Sequence, residues 1–436
     1  MSVFTAPTHA GTCWTCPFCP LLCDSFGVAA DIGAAGLRLT GSDCTRAVEA
    51  LTRFAPAPGP QAPLVDGRVG DLATAAAAAA GLLHGSRQPL FAGLGTDVAG
   101  ARALHALALD SGAISDAANG TALMHGLRAL QDRGAYTTTL AEVRTRADLI
   151  VCIGGSPSAN LPEFFHRCGL GEGTVEARHI VMLGGVADDT AADEISALAR
   201  LPGVSVEFLA LQGDLFDTVA LLAACVAGTA PAGSANEPLR SLAGCLHAAH
   251  YGVLAWEAAR LPAQGALIVE ALNRIVGTLN RCTRAATLPL GGGDGAATAN
   301  QVYAWLSGLP LRTRAGPAGL EHEPLLFDTD RLLTGRAVDA LLWVSSFGAD
   351  ALPDMDLPHI VLGPAAMAPQ FAASTAWPRV FIPVSTPGIG SSGHLFRADG
   401  MVMMPLHKVM DDGLPTVAEV ARQLRTALAA LRVGER

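Results

Sequence analysis

The amino-acid sequence predicts an α/β fold: a small Cys-rich N-terminal module followed by two Rossmann-like lobes. Over most of the 436 residues, short apolar runs that suit buried parallel strands alternate with Ala/Leu-rich helical stretches. Five of the ten cysteines, Cys13, Cys16, Cys19, Cys23 and Cys44, crowd the head of the chain, and the other five are dispersed. Pro- and Gly-bearing stretches mark the passages between these textures.

The N-terminal module is assigned to residues 1–60. It ends in Ala55-Pro56-Ala57-Pro58-Gly59-Pro60, which can be neither regular helix nor central strand. The first lobe, 61–235, opens with the helix-favouring run Ala75 to Ala80. Its strands are Pro89 to Leu94, Leu149 to Ile153, Ile180 to Leu183 and Val204 to Leu211, with helices such as Ala101 to Asp110 and Asp217 to Val226. A polar, loop-like stretch from Thr229 to Glu237 introduces the second lobe, 236–436. There helix Ala266 to Leu279 leads to strand Ala286 to Leu290 and helix Thr298 to Leu306. Strands Leu341 to Val344, His359 to Leu362 and Val380 to Pro383 follow, and helix Thr416 to Leu431 closes the chain.

Composition excludes several function classes. Half the residues are hydrophobic and 16% are charged, which excludes a disordered chain. The mean hydropathy of +0.36 comes from alanine, and no apolar run approaches the roughly 20 residues that span a bilayer. The net charge of -10, with scattered basic residues, offers no footprint for nucleic acid or an anionic membrane. Lys408 is the only lysine among 29 basic residues. Met1 to Ala10 has neither a basic nor an apolar signal region, so the expected location is the cytoplasm, with reduced thiols.

Cys16, Cys19 and Cys23 are spaced Cys-x2-Cys-x3-Cys, and Cys44 follows after twenty residues. Short loops can wrap a cubane with three thiolates while a distant segment supplies the fourth, which makes these four the candidate [4Fe-4S] ligands. Counting Cys13 gives the bacterial ferredoxin run, but Asp24 stands where that run has proline. A structural zinc site and a thiol cluster holding nothing are the alternatives the spacing leaves open.

The segment Cys16-Pro-Phe-Cys19-Pro-Leu-Leu-Cys23-Asp24 resembles the amino-terminal cluster motif in the B subunit of formylmethanofuran dehydrogenase, a relative of molybdopterin-dependent formate dehydrogenases. Asp148-Leu-Ile-Val-Cys-Ile-Gly-Gly-Ser-Pro157 is similar to that family's strand-and-loop segment. Val380-Phe-Ile-Pro-Val, Gly388 and Gly393-His-Leu-Phe-Arg397-Ala-Asp399-Gly400 are similar to its carboxy-terminal signature. The resemblance implies a molybdopterin-oxidoreductase-like fold lacking the C-terminal pterin-binding barrel, which another polypeptide carries. It also implies that the two lobes can be discontinuous, one inserted in the other.

The family ligates tungsten or molybdenum through a cysteine followed by histidine. The corresponding positions here are Met124 and His125, a degenerate Mo/W ligand site. A thioether is a weak, uncharged donor, so the resemblance with this departure implies a lost redox centre and no molybdopterin. The family's His-Pro-Arg corresponds to Leu161-Pro162-Glu163, which sets an anion where a pyrophosphate would lie. This pattern resembles the bacterial branch of the family, the B subunits of the formyltransferase/hydrolase complexes of methylotrophs. There the formyl group passes from tetrahydromethanopterin, through a methanofuran-type coenzyme, to formate on partner subunits. The resemblance implies a scaffold role with no active site of its own, beside the A, C and D subunits and the coenzyme's polyglutamate tail. An active formylmethanofuran dehydrogenase component with a [4Fe-4S] cluster and pterin-bound metal is the alternative, and a stand-alone zinc protein a third reading.

The remaining features have structural readings beside their functional ones. Arg397, Asp399 and Lys408 are read as an ion-pair set or as a grip on an acidic coenzyme tail. Gly291-Gly292-Gly293-Asp294-Gly295 lacks the Lys and Ser/Thr of a P-loop and is read as a turn. His247 and His250, with Cys245 nearby, are read as helix surface or core ahead of a zinc corner.

Overall fold

The computed structural model describes residues 14–31, 36–54, 61–185, 189–231, 233, 237–348, 352–373 and 377–434. Cys13, Met1 to Ala10 and the Pro-rich junction from Ala55 to Pro60 lie outside the described residues. Two compact units organise the chain: Met1–Gly120 with Gly292–Arg436, and Thr121–Gly291.

The Thr121–Gly291 unit holds a five-stranded, wholly parallel sheet. Its order is Ala285–Leu290, Gly252–Glu257, Leu149–Ile153, Arg178–Leu183 and Val204–Leu209. Leu149–Ile153 and Gly252–Glu257, at the middle of the sheet, are buried along their whole length, as strands in a covered parallel sheet are. The edge strand Val204–Leu209 instead alternates between more and less exposed positions. Helices Leu215–Val226, Glu237–Ala248 and Gly265–Leu279 bring Val219, Leu222, Leu242, Leu246, Leu272 and Ile275 onto the face that carries Val151, Val181 and Leu254. Asp214 starts the first of these helices by accepting the Asp217 amide at 2.7 Å.

In the other unit, five parallel strands run in the order Ile114–Ser115, Pro89–Gly95, Ala340–Ser345, His359–Gly363 and Arg379–Pro383. Antiparallel hairpins close both edges: Thr313–Gly316 with Gly319–His322, and Leu64–Val65 with Arg68–Val69. The C-terminal helix Val417–Gly434 packs against Leu72–Gly85 and Val98–Ser111. The Cys-bearing segment adds the hairpin Gly27–Asp31 with Gly36–Thr40 and the helix Thr45–Thr52, and belongs to this unit.

Neither linear span, 61–235 nor 236–436, corresponds to one unit, and 1–60 does not stand apart. Strand pairing is the reason. Leu149–Ile153 pairs in parallel with Gly252–Glu257, from Leu149 against Gly252 to Ile153 against Trp256, so one sheet crosses the stretch from Thr229 to Glu237. That stretch only links two helices packed in the same core. Gly252–Glu257 itself was not expected, because Gly-Val-Leu-Ala-Trp-Glu is short and rich in small residues. Among the described residues no helix is long and apolar enough to cross a membrane.

Candidate functional site

Both sheets have a switch point, where consecutive connections leave in opposite directions and a crevice opens at the carboxyl ends of two neighbouring strands. In the first unit it lies between Pro89–Gly95 and Ala340–Ser345, and in the second between Leu149–Ile153 and Gly252–Glu257.

The thiol knuckle belongs to the first. Cys16 donates its amide to the Cys23 carbonyl at 2.8 Å and Leu22 donates to the Cys19 carbonyl at 3.2 Å, a tight reversal that holds Leu22 at φ 45°. Cys44 immediately precedes the helix Thr45–Thr52 and brings the fourth sulfur in. Cys16, Cys19, Cys23 and Cys44 are all buried. Burial pushes the Cys16 thiol well above its ordinary value, and the neighbouring sulfurs of Cys19, Cys23 and Cys44 push the same way. Burial likewise pushes Cys19 up to about 11, against the opposing pull of the Leu21 amide and the Arg46 guanidinium. The Phe18 amide is directed at Cys16, and the Leu21 and Leu22 amides at Cys19. Four converging buried sulfurs, two of them supplied with backbone donors, form a donor set for a soft, positively charged group that would hold them as thiolates. Among the described residues no three His, Cys, Asp or Glu side chains close to the spacing of a single metal ion.

The knuckle is seated on the carboxyl end of its sheet. Trp14 Nε1 donates to the Gly388 carbonyl at 2.8 Å and the Ala398 amide to the Pro20 carbonyl at 2.8 Å. Leu22 packs with Phe347, Leu395 and Leu406. Arg46 Nε donates to the Phe18 carbonyl at 2.5 Å, and its guanidinium lies 3.7 Å from Asp294. The glycine loop is a turn pressed against this floor: a Cβ on Gly295 would lie 2.4 Å from the Thr96 carbonyl oxygen.

Arg397 and Asp399 face one another. Nε and Nη2 of Arg397 donate to the same Asp399 oxygen at 2.8 and 2.6 Å, and both residues are buried. Lys408 does not join them; its ammonium lies 3.0 Å from Asp411 on the surface.

The second unit carries Met124 and His125 on the helix Gly120–Arg133, and both are buried. A Cβ on Gly265 would lie 2.5 Å from His125 Cδ2, so the absence of a side chain at 265 makes room for the imidazole. Glu163 lies 3.0 Å from His166 Nδ1. At the switch point itself, Arg260 donates to the Gly154 carbonyl at 2.8 Å and the Ser156 carbonyl at 2.6 Å. Its Nη1 also reaches Glu257 at 3.2 Å, and Asn160 donates to the other oxygen of Glu257 at 2.9 Å. The carboxyl ends of the two strands are thus laced together by the chain's own side chains, around a buried carboxylate. None of Asn160, Glu257 and Arg260 was singled out from sequence; only the three-residue spacing of Glu257 and Arg260 signalled a pair.

His247 and His250 are not brought together as a metal corner. His247 Nε2 meets the Val226 carbonyl at 3.0 Å and its Nδ1 lies 3.7 Å from Cys282 Sγ, whereas His250 lies beyond the helix and donates its amide to Asp148.

No family model matches the chain. The B subunit of the formyltransferase/hydrolase complex Fhc of Methylorubrum extorquens is 31% identical over 338 residues, 76% of this chain and 87% of that protein. The B subunit of the tungsten-containing formylmethanofuran dehydrogenase 2 of Methanocaldococcus jannaschii is 25% identical over 417 residues, 91% of this chain and 93% of that one. Among solved structures, a chain of the M. extorquens FhcABCD complex with methylofuran matches at 29% identity and a TM-score of 0.71, covering 85% of this chain and 100% of that chain. With nearly a third of residues shared over most of both chains, and the same α/β architecture, this chain belongs to the family formed by the B subunits of formyltransferase/hydrolase complexes.

Proposed function

We propose that this chain is a scaffold-type, redox-silent component of a formyltransferase/hydrolase complex. The complex moves a formyl group from tetrahydromethanopterin, through a methanofuran-type coenzyme, to formate. The chemistry lies on partner subunits rather than on this chain, and the A, C and D subunits are its partners, as they are in the solved FhcABCD assembly of the M. extorquens relative with methylofuran.

The observation that carries the redox-silent reading is the self-filled crevice of the second unit. A pterin dinucleotide would need to lay its pyrophosphate near carbonyls that Arg260 already occupies and beside the buried Glu257. Buried Met124 adds to it, since a thioether cannot supply the anionic ligand a high-valent metal needs. The four N-terminal thiols are soft donors of the kind that would hold a [4Fe-4S] cluster, and one zinc ion is the other occupant their chemistry suits. When bound, such a cluster would cross-link the knuckle and supply one-electron chemistry. Cys16, Cys19, Cys23 and Cys44 would hold it, with the Phe18, Leu21 and Leu22 amides stabilising the sulfur charge. The active dehydrogenase alternative is favoured by this quartet alone.

Anaerobic purification with the native partners, followed by iron, zinc, molybdenum and tungsten analysis, tests the reading. About four irons per chain with neither molybdenum nor tungsten is the expected result. Stoichiometric molybdenum or tungsten would overturn redox silence, and one zinc without iron would overturn the cluster assignment.

A further inference from the structure

Cys282 is the exposed cysteine among the described residues; the other described thiols are buried or partly buried. It lies three residues beyond the helix Gly265–Leu279 and beside the last turn of Glu237–Ala248, where its Sγ stands 3.7 Å from His247 Nδ1.

The imidazole is oriented by the backbone. Its Nε2 lies 3.0 Å from the carbonyl oxygen of Val226, the last residue of Leu215–Val226. A carbonyl oxygen only accepts, so Nε2 carries the hydrogen and donates it, and in the neutral ring Nδ1 keeps the lone pair. That lone pair faces the thiol. The S–H hydrogen has a second acceptor in reach, the Leu279 carbonyl at 3.5 Å, but only the imidazole can take the proton away. A thiol, a base within its reach and a third group that fixes the base make up the arrangement that activates a cysteine nucleophile. Arg281 and Arg284 flank the thiol in the chain, and both are exposed, which adds positive charge where an activated thiol needs it.

We propose that Cys282 is a reactive thiol that exchanges with small, negatively charged disulfides of the glutathione type and forms a reversible mixed disulfide. The S–H proton passes to His247 Nδ1, and the thiolate attacks one sulfur of the disulfide. A new S–S bond forms to Cys282 Sγ while the disulfide's own S–S bond breaks. Its electron pair leaves on the second sulfur, which takes the proton back from His247 and departs as a thiol. Arg281 and Arg284 draw in the anionic reactant. This site does not depend on the scaffold reading above, because none of its residues belongs to the thiol knuckle or the Arg260 crevice.

Incubation of the full chain with oxidised glutathione at neutral pH, acid quenching and peptide mass mapping test the proposal. Cys282 is expected to be modified at least tenfold faster than the partly buried Cys225 and Cys245, and dithiothreitol should reverse it. His247→Gln keeps a donor for the Val226 carbonyl and loses the base, so it is expected to slow Cys282 at least tenfold with the unfolding temperature unchanged. Arg281→Gln with Arg284→Gln is expected to slow the glutathione reaction about threefold and to leave that of the neutral bis(2-hydroxyethyl) disulfide as it was. An unmodified Cys282, a rate no higher than at Cys225 and Cys245, or an undiminished rate in His247→Gln would each overturn the assignment. Equal slowing with the neutral disulfide would overturn the preference for an anionic reactant.

Discussion

The indole Nε1 of Trp14 donates to the carbonyl oxygen of Gly388 at 2.8 Å, across 374 residues of chain. Gly388 holds φ at 87°, and a Cβ there would lie 3.2 Å from Pro17 Cγ. The head of the chain is therefore registered on a loop that only a glycine fits. Trp14→Phe keeps the apolar packing and loses the hydrogen bond, with an expected cost of about 1 kcal/mol. Gly388→Ala is expected to cost more, about 1–2 kcal/mol from the backbone alone, with Pro17 displaced. Urea unfolding of the three proteins checks the order; a Gly388→Ala variant as stable as the parent would break it.

Arg312 and Asp116 form a buried pair at 3.1 Å, each at most 2% exposed, and the Asp116 carboxylate also accepts the amide and hydroxyl of Thr329 at 3.0 and 2.9 Å. Arg312 further donates to Asp328 and to the Pro324 carbonyl. Burial pushes the Asp116 carboxyl above its ordinary value even against the pull of Arg312. Arg312→Met strands that carboxylate and should lower unfolding free energy by about 3–5 kcal/mol. Adding Asp116→Asn should recover part of the loss in a double-mutant cycle, whereas simple additivity would deny the coupling.

In the second unit, Gly265→Ala drives a methyl group into the His125 ring, and about 1–3 kcal/mol of destabilisation is expected. His125→Ala in the same chain should relieve most of it. Thermal unfolding of the single and double variants reads this out, and an unrelieved double variant would place the clash elsewhere.

Acid sensitivity follows from three histidines of the first unit. Burial lowers His105, His322 and His359 below their ordinary 6.5, with Arg379 adding to the effect at His359. Each stays neutral when folded and takes up a proton when unfolded once the pH drops below about 6.5, so the unfolded state binds more protons and stability falls from there downward. Asp97 and Asp116, pushed up by burial, act oppositely: their contribution is lost as pH rises above 3.8 toward their folded values. The urea midpoint is expected to drop between pH 7.5 and pH 5.5, and His359→Asn should shrink the drop. An unchanged midpoint would exclude titration of these histidines.

Much of the fold was legible as local pattern. Leu149–Ile153 falls where its five apolar residues predict, and Gly265–Leu279 starts one residue before its expected range and ends with it. Both follow from burial acting on residues close in sequence. The Cys-x2-Cys-x3-Cys run with Cys44 marked the only dense thiol site among the described residues, and the fold buries all four together. Arg397, Asp399 and Lys408 were grouped from charge alone. Their partners depend on which way the strand Gly393–Phe396 and its turn present each side chain, and period-2 patterning over four residues is too short to tell.

By itself the sequence determined the alternation of strands and helices, the thiol spacing and the thioether at Met124. Each is a property of a short window, set by side-chain chemistry and periodicity. Only the tertiary structure decided that Gly252–Glu257 lies beside Leu149–Ile153, that Thr121–Gly291 forms one unit, and that Arg260 closes over Gly154 and Ser156. Those relations join residues about a hundred positions apart in the chain, and the pairing is selected by the burial and hydrogen bonding of the whole sheet rather than by any local preference.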